Sequence, residues 1–409
     1  MKRYGHLFEK AFTPQALYLA YLDARQGKRS TRACFNFEKC LGTNLYQLHQ
    51  ELHDGSYTVK PYYSFMVYEP KPRQIFAPAF RDTVVQHAIY RLVYPLFDKT
   101  FIDQSFACRK GKGTHKAAQY AQDALRASPR NSYTLKLDIR KFFYRIDRQI
   151  LRTQVERVIK DRRFVDLMMA FAQYGEPVGI PIGNLLSQIY ALIYLNPLDH
   201  FVKRQLKVRH YCRYVDDFVL FGLTRAQCVE YKERIERFIA TELNLEFSKY
   251  TIAPVSKGVN FVGYRTWASR RFIRKHSLYN FRRAVRDQKL ASVVSILGHA
   301  RHTHSFNSLI ASLKEQDHAL HRQLPKVYRY RSHSRDRTAC RLRGPAHWGG
   351  AGHNRRGDVC QPARRSHVAR PAASRSGGQY CQSRHGDVRA AGAAQRYQSA
   401  LEAYLAADD

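Results

Sequence analysis

The first 60 residues alternate apolar and polar positions at the spacing of amphipathic helices. The pattern stops at Asp54-Gly55, and glycine is a common helix terminator. We predict an N-terminal helical extension over residues 1–60, whose apolar faces serve packing. These faces comprise Leu17, Tyr18, Ala20 and Tyr21 in one segment and Leu45, Leu48 and Leu52 in the next.

The pattern changes after residue 57. Residues 57–80 contain short β-like runs interrupted by prolines, which favour loops and edge strands because proline lacks an N–H donor. Residues 83–96 then show the apolar density of a helix. We expect this region to combine exposed strands with a buried helix.

The central third of the chain predicts strands separated by helices. Residues 134–139 alternate in character, with Leu135 and Leu137 on one face and Lys136 and Asp138 on the other. This period of two is typical of a β-strand with one buried face. The strand places Asp138 near its end.

Two further segments complete the central third. Residues 182–195 are as dense in apolar side chains as a buried helix, and residues 210–221 are apolar on both sides of Asp216-Asp217. The second segment is typical of a β-hairpin that carries two acids at its turn. Short strands with helices between them predict an α+β fold.

The C-terminal part divides into two segments of different composition. Residues 265–330 are predicted to be helical and basic. Residues 331–409 contain fourteen Arg and no Lys, Ile, Phe or Met. Such a segment buries too little apolar area to offset its ordering entropy, so we expect most of it to be disordered. The basic side chains of the first segment are Arg270, Arg271, Arg274, Lys275, Arg282, Arg283 and Arg286.

The formal net charge of the 409-residue chain is +36, and its pI is about 10.1. This excess favours a polyanionic partner, with nucleic acid ahead of an anionic membrane surface. The sequence has no apolar run long enough to span a bilayer and no signal-type apolar core at its start, so we expect a cytoplasmic protein with no membrane partner. The eight cysteines include no Cys-x-x-Cys pair, and we assign no zinc site.

Three acids stand out in a chain that is short of them. Asp138 lies at a strand end and Asp216-Asp217 at a hairpin turn, flanked by bulky apolar residues. Joining a nucleotide to a primer is an in-line phosphoryl transfer, which polymerases commonly perform with two Mg²⁺ ions. Mg²⁺ prefers carboxylate and other hard oxygen ligands. An Asp-Asp pair alone is weak evidence, because acids are common turn residues.

The wider sequence around these acids is more specific. Tyr214-Val215-Asp216-Asp217, with Leu137-Asp138-Ile139-Arg140-Lys141-Phe142-Phe143 upstream, resembles the palm signatures of reverse transcriptases. The resemblance implies an RNA-directed DNA polymerase with a right-hand fold and two Mg²⁺ ions, whose partners are template RNA, cDNA and dNTPs. It places fingers and palm over residues 61–264, the thumb over residues 265–330 and a tail over residues 331–409.

The resemblance also assigns metal ligands. It places Asp138 and Asp216 as the pair that spans both metals and makes Asp217 the weaker ligand. The backbone of Ile139 is a further expected ligand. Lys249 lies where such enzymes often carry a general acid for the departing pyrophosphate, and the alternative is a surface lysine.

Further residues are assigned by resemblance to the incoming dNTP. Lys71 and Arg73 lie in a segment like the fingers loop that holds the triphosphate, for which the planar fork of Arg is suited. The amides of Lys141 and Phe142 are expected to face the triphosphate. Phe143 occupies the steric-gate position that excludes a ribose 2′-hydroxyl. The alternatives are a solvated basic loop for the first pair and a core position for Phe143.

Two more blocks resemble parts of the same enzymes. Residues 104–114 resemble a fingers and palm block, in which Arg109 is expected to bind dNTP and Thr114 to cap the following helix. Phe261-Val262-Gly263-Tyr264 resembles the primer-grip hairpin, in which Phe261 and Gly263 are the assigned residues. The basic helices after it resemble the thumb.

One segment departs from the sequence of most reverse transcriptases and resembles a particular group of them. The segment Gly179-Ile180-Pro181-Ile182-Gly183-Asn184-Leu185-Leu186-Ser187-Gln188 has Ile-Gly where most reverse transcriptases have Gln-Gly. This form is similar to that of diversity-generating retroelements of bacteria and phages, whose enzymes copy template RNA with errors concentrated at adenines. The resemblance assigns Ile182 and Gly183 to the dNTP site and Ser187 and Gln188 to the family motif. It also implies a small basic accessory protein as a partner.

Two alternatives remain open. The first is a group II intron or retron reverse transcriptase, although the tail shows neither a convincing maturase region nor a nuclease. The second is a basic RNA-binding protein that retains an inactive polymerase fold. The intact acids at all three positions argue against the second alternative.

Overall fold

The computed structural model describes residues 3–68 and 72–325. The tail predicted over residues 331–409 and the side chain of Lys71 lie outside these ranges. Within the described residues, the order of helices and strands follows the α+β pattern that the sequence predicts.

Four helices form the N-terminal region, as the periodicity predicts. The last of them ends where Gly55 adopts a left-handed conformation with φ of 83°. The Asp161 carboxylate accepts hydrogen bonds from the amides of Leu7 (2.7 Å) and Phe8 (2.9 Å), which ties the first helix to the body of the protein. These helices are α1 (Leu7–Ala11), α2 (Pro14–Ala24), α3 (Arg32–Lys39) and α4 (Leu41–Asp54).

The fingers region begins with an antiparallel hairpin of β1 (Tyr63–Val67) and β2 (Arg73–Ala77). Every residue of β1 is exposed, in agreement with the expectation of exposed strands. The helix expected next is α5 (Phe80–Asp98), which packs against α2. It is followed by α6 (Thr114–Ala127).

The palm is a four-stranded antiparallel sheet in the order β4-β5-β3-β6. Its strand β3 carries fully buried Leu135 and Leu137 on one face and half-buried Lys136 and Asp138 on the other, which confirms the predicted alternation. The strands are β3 (Tyr133–Ile139), β4 (His210–Tyr214), β5 (Asp217–Leu223) and β6 (Phe247–Pro254).

Helices surround the palm sheet. The buried helix predicted from residue 182 begins three residues later, because the Asn184 side chain caps it by accepting from the amide of Leu186 at 2.9 Å. The helices are α7 (Phe142–Arg145), α8 (Arg148–Glu156), α9 (Arg162–Ala170), α10 (Leu185–His200) with a π-helical turn (Phe201–Gln205), and α11 (Arg225–Leu243).

The segment after the palm departs from the predicted helix in its first ten residues. A 3₁₀ turn (Val255–Lys257) leads into a three-stranded sheet of β7 (Val259–Phe261), β8 (Tyr264–Thr266) and β9 (Arg271–Ile273). Arg271 is buried and donates to the carbonyl of Ala118 at 2.9 Å, so it holds this sheet to α6 and is not part of a basic surface. The helices follow as α12 (Lys275–Arg286), α13 (Leu290–Ala300), α14 (Ser305–Gln316) and α15 (His318–Gln323).

Two large hydrophobic clusters hold these elements. The first joins the N-terminal helices, α5, α10 and the palm strands in one continuous core, and the second packs α12 to α15 on β8 and β9. The N-terminal helices thus contribute to the core beneath the three acids. No helix within residues 3–68 and 72–325 is long and apolar enough to cross a membrane.

Candidate active site

The three aspartates lie together at one end of the palm sheet. Asp138 on β3 pairs directly with Asp217 on β5, and the Ile139 amide donates to the carbonyl of Asp216 at 3.3 Å. Asp216 occupies the turn between β4 and β5, as the hairpin pattern predicts. Antiparallel pairing therefore converts a sequence separation of almost 80 residues into contact between neighbouring strands.

A buried ion pair stabilises the turn that contains Asp216. Val215 adopts a left-handed φ of 56°, which is uncommon for a β-branched residue. The Arg213 guanidinium donates to the Val215 carbonyl at 3.0 Å and to the carboxylate of Asp199 at 2.6 Å. Both charged side chains are fully buried. Sequence reasoning missed this pair, because the contact depends on α10 lying beneath the hairpin.

Burial and repulsion between carboxylates alter the pKa values of the aspartates. Burial, followed by the negative charges of Asp138 and Asp217, raises the pKa of Asp216 to about 6. Burial also raises the pKa of Asp217, although the ammonium of Lys136 opposes this shift. The charge of Arg73, the first residue of the fingers strand β2, slightly lowers the pKa of Asp216.

Some carboxylate oxygens of the three aspartates accept hydrogen bonds from neighbouring side chains, whereas one buried oxygen has no hydrogen-bond partner. Ser248 donates to Asp138 Oδ2 at 2.8 Å, and Lys136 donates to Asp217 Oδ2 at 2.7 Å. The remaining oxygen of Asp217, Oδ1, is buried and has no hydrogen-bond partner. Such an atom favours a cation or a donor from outside the protein. The described residues contain no group of three or more His, Cys, Asp or Glu side chains already arranged around a metal position.

Affinity for a divalent cation is expected to fall as the pH is lowered through about 6. The raised pKa means that Asp216 keeps its proton to a higher pH than an ordinary Asp, and a cation must displace that proton. Titration calorimetry with Mn²⁺ at several pH values from about 5 to about 8 measures this effect. Asp216→Asn should remove most of the dependence. An affinity for Mn²⁺ that does not change with pH across this range would contradict a role for Asp216 in binding the cation.

The chain has detectable relatives. Residues 68–266 match the family described as reverse transcriptase (RNA-dependent DNA polymerase). Protein YkfC of Escherichia coli K12 is 27% identical over 60% of this chain and 75% of its own length. The group II intron-encoded protein LtrA of Lactococcus lactis subsp. cremoris is 23% identical over 64% of this chain, which spans 56% of LtrA. A telomerase structure from Candida albicans covers 64% of this chain and 58% of its own, with 11% identity and a TM-score of 0.41.

The chain carries a reverse transcriptase domain. This domain is an RNA-directed DNA polymerase domain with homology to group II intron proteins. It contains all three aspartates and the fingers strand that bears Arg73. Enzymes of this family generally use divalent metal ions.

The reverse transcriptase domain brings Ile182 and Gly183 against the fingers. The Ile182 carbonyl accepts from the amide of Phe76 on β2 at 2.7 Å, and the Ile182 side chain is half-buried. Gly183 has φ of 111°, and a Cβ at this position would lie 2.7 Å from Ile75 Cγ2. Glycine therefore permits the close approach of β2, which is the strand that starts with Arg73.

The two residues of the family motif have different surroundings. Ser187 is buried and donates to the carbonyl of Pro181 at 2.6 Å, closing the turn before α10. Gln188 is exposed on the same helix. The first residue thus shapes the turn that carries Ile182, and the second is available to a ligand.

Lys141, Phe142 and Phe143 follow directly after β3. Lys141 adopts a left-handed φ of 45° at the start of α7. Phe142 is buried at 1% exposure, whereas Phe143 is half-buried and packs edge-on against it with ring centroids 5.5 Å apart. The Phe143 side chain thus retains exposed surface, which distinguishes it from a core phenylalanine.

Two predictions in residues 104–114 are wrong. The Arg109 side chain is nearly buried, donating to Asp98 at 2.7 Å and to the carbonyl of Ile102 at 2.6 Å. Its guanidinium therefore fixes the loop after α5 and is turned away from solvent, in contrast to the exposed position expected of a dNTP-binding side chain. Thr114 does not cap α6 through its side chain, because its hydroxyl lies 3.2 Å from that of Tyr214.

The remaining predicted residues flank the acids on two sides. Lys249 on β6 pairs with Asp138, and its exposed ammonium lies 4.0 Å from Asp138 Oδ2. Phe261 and Gly263 lie at the end of β7 and in the turn to β8, which form the expected hairpin. Phe261 is buried, and Gly263 has a left-handed φ of 89° at which a Cβ would lie 3.0 Å from the His299 ring of α13.

Proposed function

We propose that this protein copies a template RNA into cDNA and uses two Mg²⁺ ions held by Asp138, Asp216 and Asp217. The orphaned Oδ1 of Asp217, together with the burial and mutual repulsion that raise the pKa of Asp216, supports a cation at this position. When bound, the ions would neutralise charge on the reacting phosphate oxygens. The Ile139 backbone is a further proposed ligand.

The chain's own residues have distinct proposed tasks around the nucleotide. Arg73 holds the triphosphate, and its closeness to Asp216 supports this role. The half-exposed ring of Phe143 excludes a ribose 2′-hydroxyl. The exposed ammonium of Lys249 is placed beside Asp138 to donate a proton to the departing pyrophosphate. Incorporation of dNTPs on a primed RNA template, with Mg²⁺ present or removed, tests the proposal.

We propose further that copying is error-prone, as in a diversity-generating retroelement. The observation that supports this is the position of Ile182 in the turn before α10, where its carbonyl bonds the fingers strand β2 and its side chain is half-buried. An apolar side chain here cannot hydrogen-bond a nucleotide. Discrimination is strongest where a wrong partner leaves polar groups unpaired, so its loss relaxes selection.

Ile182→Gln is expected to lower misincorporation opposite template adenine by roughly tenfold, because the amide restores a polar check on nucleotide geometry. Primer extension on an RNA template with one adenine, supplied with each dNTP singly, measures this effect. Ile182→Leu is the matched control, since it keeps an apolar side chain of the same size. Equal error rates for all three proteins would contradict the role of Ile182.

A group II intron-type enzyme is the second candidate, favoured by the match to the intron-encoded protein LtrA. An intron enzyme is expected to copy structured RNA with few errors, whereas the retroelement enzyme would concentrate errors at adenines. Sequencing cDNA from one RNA template therefore separates the two proposals. A repeat pair in the neighbouring DNA that differs mainly at adenines would favour the retroelement.

The retroelement proposal includes a small basic accessory protein that binds the enzyme and its template RNA. The N-terminal helices and α12 are the surfaces that we propose for it. Among them, the 25–31 loop is largely exposed and carries Arg25, Lys28 and Arg29, and exposed Arg32 follows it at the start of α3. Contacts to RNA phosphates from this loop would weaken with salt.

A further inference from the structure

Lys136 connects the candidate metal site to the β7–β8 hairpin. Its ammonium donates to Asp217 Oδ2 at 2.7 Å and to the carbonyl of Asn260 on β7 at 2.8 Å. It also lies 6.0 Å from the centroid of the Phe261 ring. One half-buried side chain therefore contacts both an acid and the strand expected to guide the primer.

The register of the palm sheet explains how the Lys136 side chain reaches the Asp217 carboxylate. Lys136 pairs with Val219, and Asp138, two residues further along β3, pairs with Asp217. Lys136 and Asp217 are thus diagonal neighbours on adjacent strands, a separation that a long side chain spans. An ammonium has three donors, so it can bond the carboxylate and the carbonyl at once.

The two oxygens of Asp217 are consequently unequal. Oδ2 is occupied by Lys136, and Oδ1 is buried without a partner. A carboxylate held by one oxygen has a fixed orientation, so the free oxygen points in a defined direction. The ammonium also offsets part of the negative charge that Asp138, Asp216 and Asp217 place together.

We propose that Lys136 is a positioning residue that fixes Asp217 and sets the β7–β8 hairpin relative to the three acids. The proposal rests on the polymerase function proposed above. In this arrangement Asp217 offers a single oxygen to a cation, and the primer end is held at a constant distance from that oxygen. The ammonium acts through these contacts and takes no part in the reaction itself.

Lys136→Met tests the proposal because methionine keeps much of the aliphatic stem and removes the charge and both hydrogen bonds. Loss of the ammonium should tighten Mn²⁺ binding by about three- to tenfold, chiefly because Asp217 Oδ2 loses its competing partner and becomes free to bind the ion. The same change should lower kcat by about tenfold or more and raise KM for primer–template, because Asp217 and the hairpin lose their fixed positions. Destabilisation alone would weaken Mn²⁺ binding and activity together.

Lys112→Met is the matched control. Lys112 is similarly half-buried, its ammonium lies near the Asp103 carboxylate (3.4 Å) and carbonyl (2.9 Å), and it lies 5.5 Å from the Phe106 ring centroid. Its replacement should leave Mn²⁺ affinity, kcat and KM within about twofold of wild type. Equal effects of the two variants would overturn the proposal.

A double-mutant cycle with Asp217→Asn isolates the contact. If Lys136 acts through Asp217, its effect on Mn²⁺ affinity should largely disappear in the Asp217→Asn background. An undiminished effect in that background would overturn the proposal. Templated incorporation by the wild-type chain is measured separately. Its absence would refute the polymerase function, while the Mn²⁺ affinities would still decide whether Lys136 controls Asp217.

Discussion

Asp216→Asn is expected to reduce templated incorporation of dNTPs by on the order of 10³-fold or more, without destabilising the folded protein. Asparagine keeps the shape of the side chain but removes the charge that a cation needs. The wild-type carboxylate is disfavoured by burial and by repulsion from Asp138 and Asp217, which together raise its pKa to about 6. The neutral amide avoids this penalty, so the thermal midpoint in metal-free buffer near neutral pH should be equal or higher.

Single-turnover primer extension and a thermal melt of the same preparation measure the two effects. Asp103→Asn is the matched control, because the Asp103 side chain is 86% exposed and its carboxylate pairs with Lys112. It should change neither quantity appreciably. A variant at position 216 that melts far below wild type, or that retains activity, would show that Asp216 serves the fold and not the chemistry.

Arg213→Met is expected to lower the free energy of unfolding by about 3–5 kcal/mol, because it leaves the Asp199 carboxylate buried without its ion-pair partner. It also removes the donor to the Val215 carbonyl, and with it the support for a turn whose φ is left-handed. Activity should therefore fall even at temperatures where the variant remains folded. Urea unfolding curves and primer extension at low temperature measure the two losses.

The double variant Arg213→Met with Asp199→Leu separates charge burial from support of the turn. Removing both charges should recover much of the lost stability, whereas activity should stay low because the Val215 carbonyl still lacks its donor. Arg126→Met is a control from an exposed pair with Asp123 and should cost no more than about 1 kcal/mol. Full recovery of activity in the double variant would contradict the positioning of the turn by Arg213.

The hydrophobic pattern predicted most of the secondary structure, because each element buries a face at its own period. The alternation at residues 134–139 and the apolar halves of the 210–221 segment predicted three of the four palm strands and the turn between β4 and β5. The pattern was wrong where basic residues dominate. Residues 264–273 form two short strands because the buried side chains of Tyr264 and Ile273 pack on α6 and the thumb helices, a tertiary contact that no local period reports.

The residues predicted for the site show the same difference between what local sequence reports and what tertiary contacts decide. Arg109 and Arg73 are the same residue type in basic segments, yet Arg109 is nearly buried against Asp98, whereas Arg73 is exposed and its charge acts on Asp216. Which guanidinium faces the acids depends on where α5 and β2 lie in space. Residue type alone therefore predicts that a cation lies near the site. It does not show which cation faces the acids.

By itself the sequence determined the three aspartates, the strand and hairpin that carry them, and the match of residues 68–266 to the reverse transcriptase family. These follow from local periodicity and from a contiguous motif. Only the tertiary structure decided which groups hold those acids in place: Arg213 with Asp199 beneath the turn, and Lys136 between Asp217 and β7. The physical reason is that such contacts join residues distant in sequence, through a strand register and a helix position that only packing of the complete core fixes.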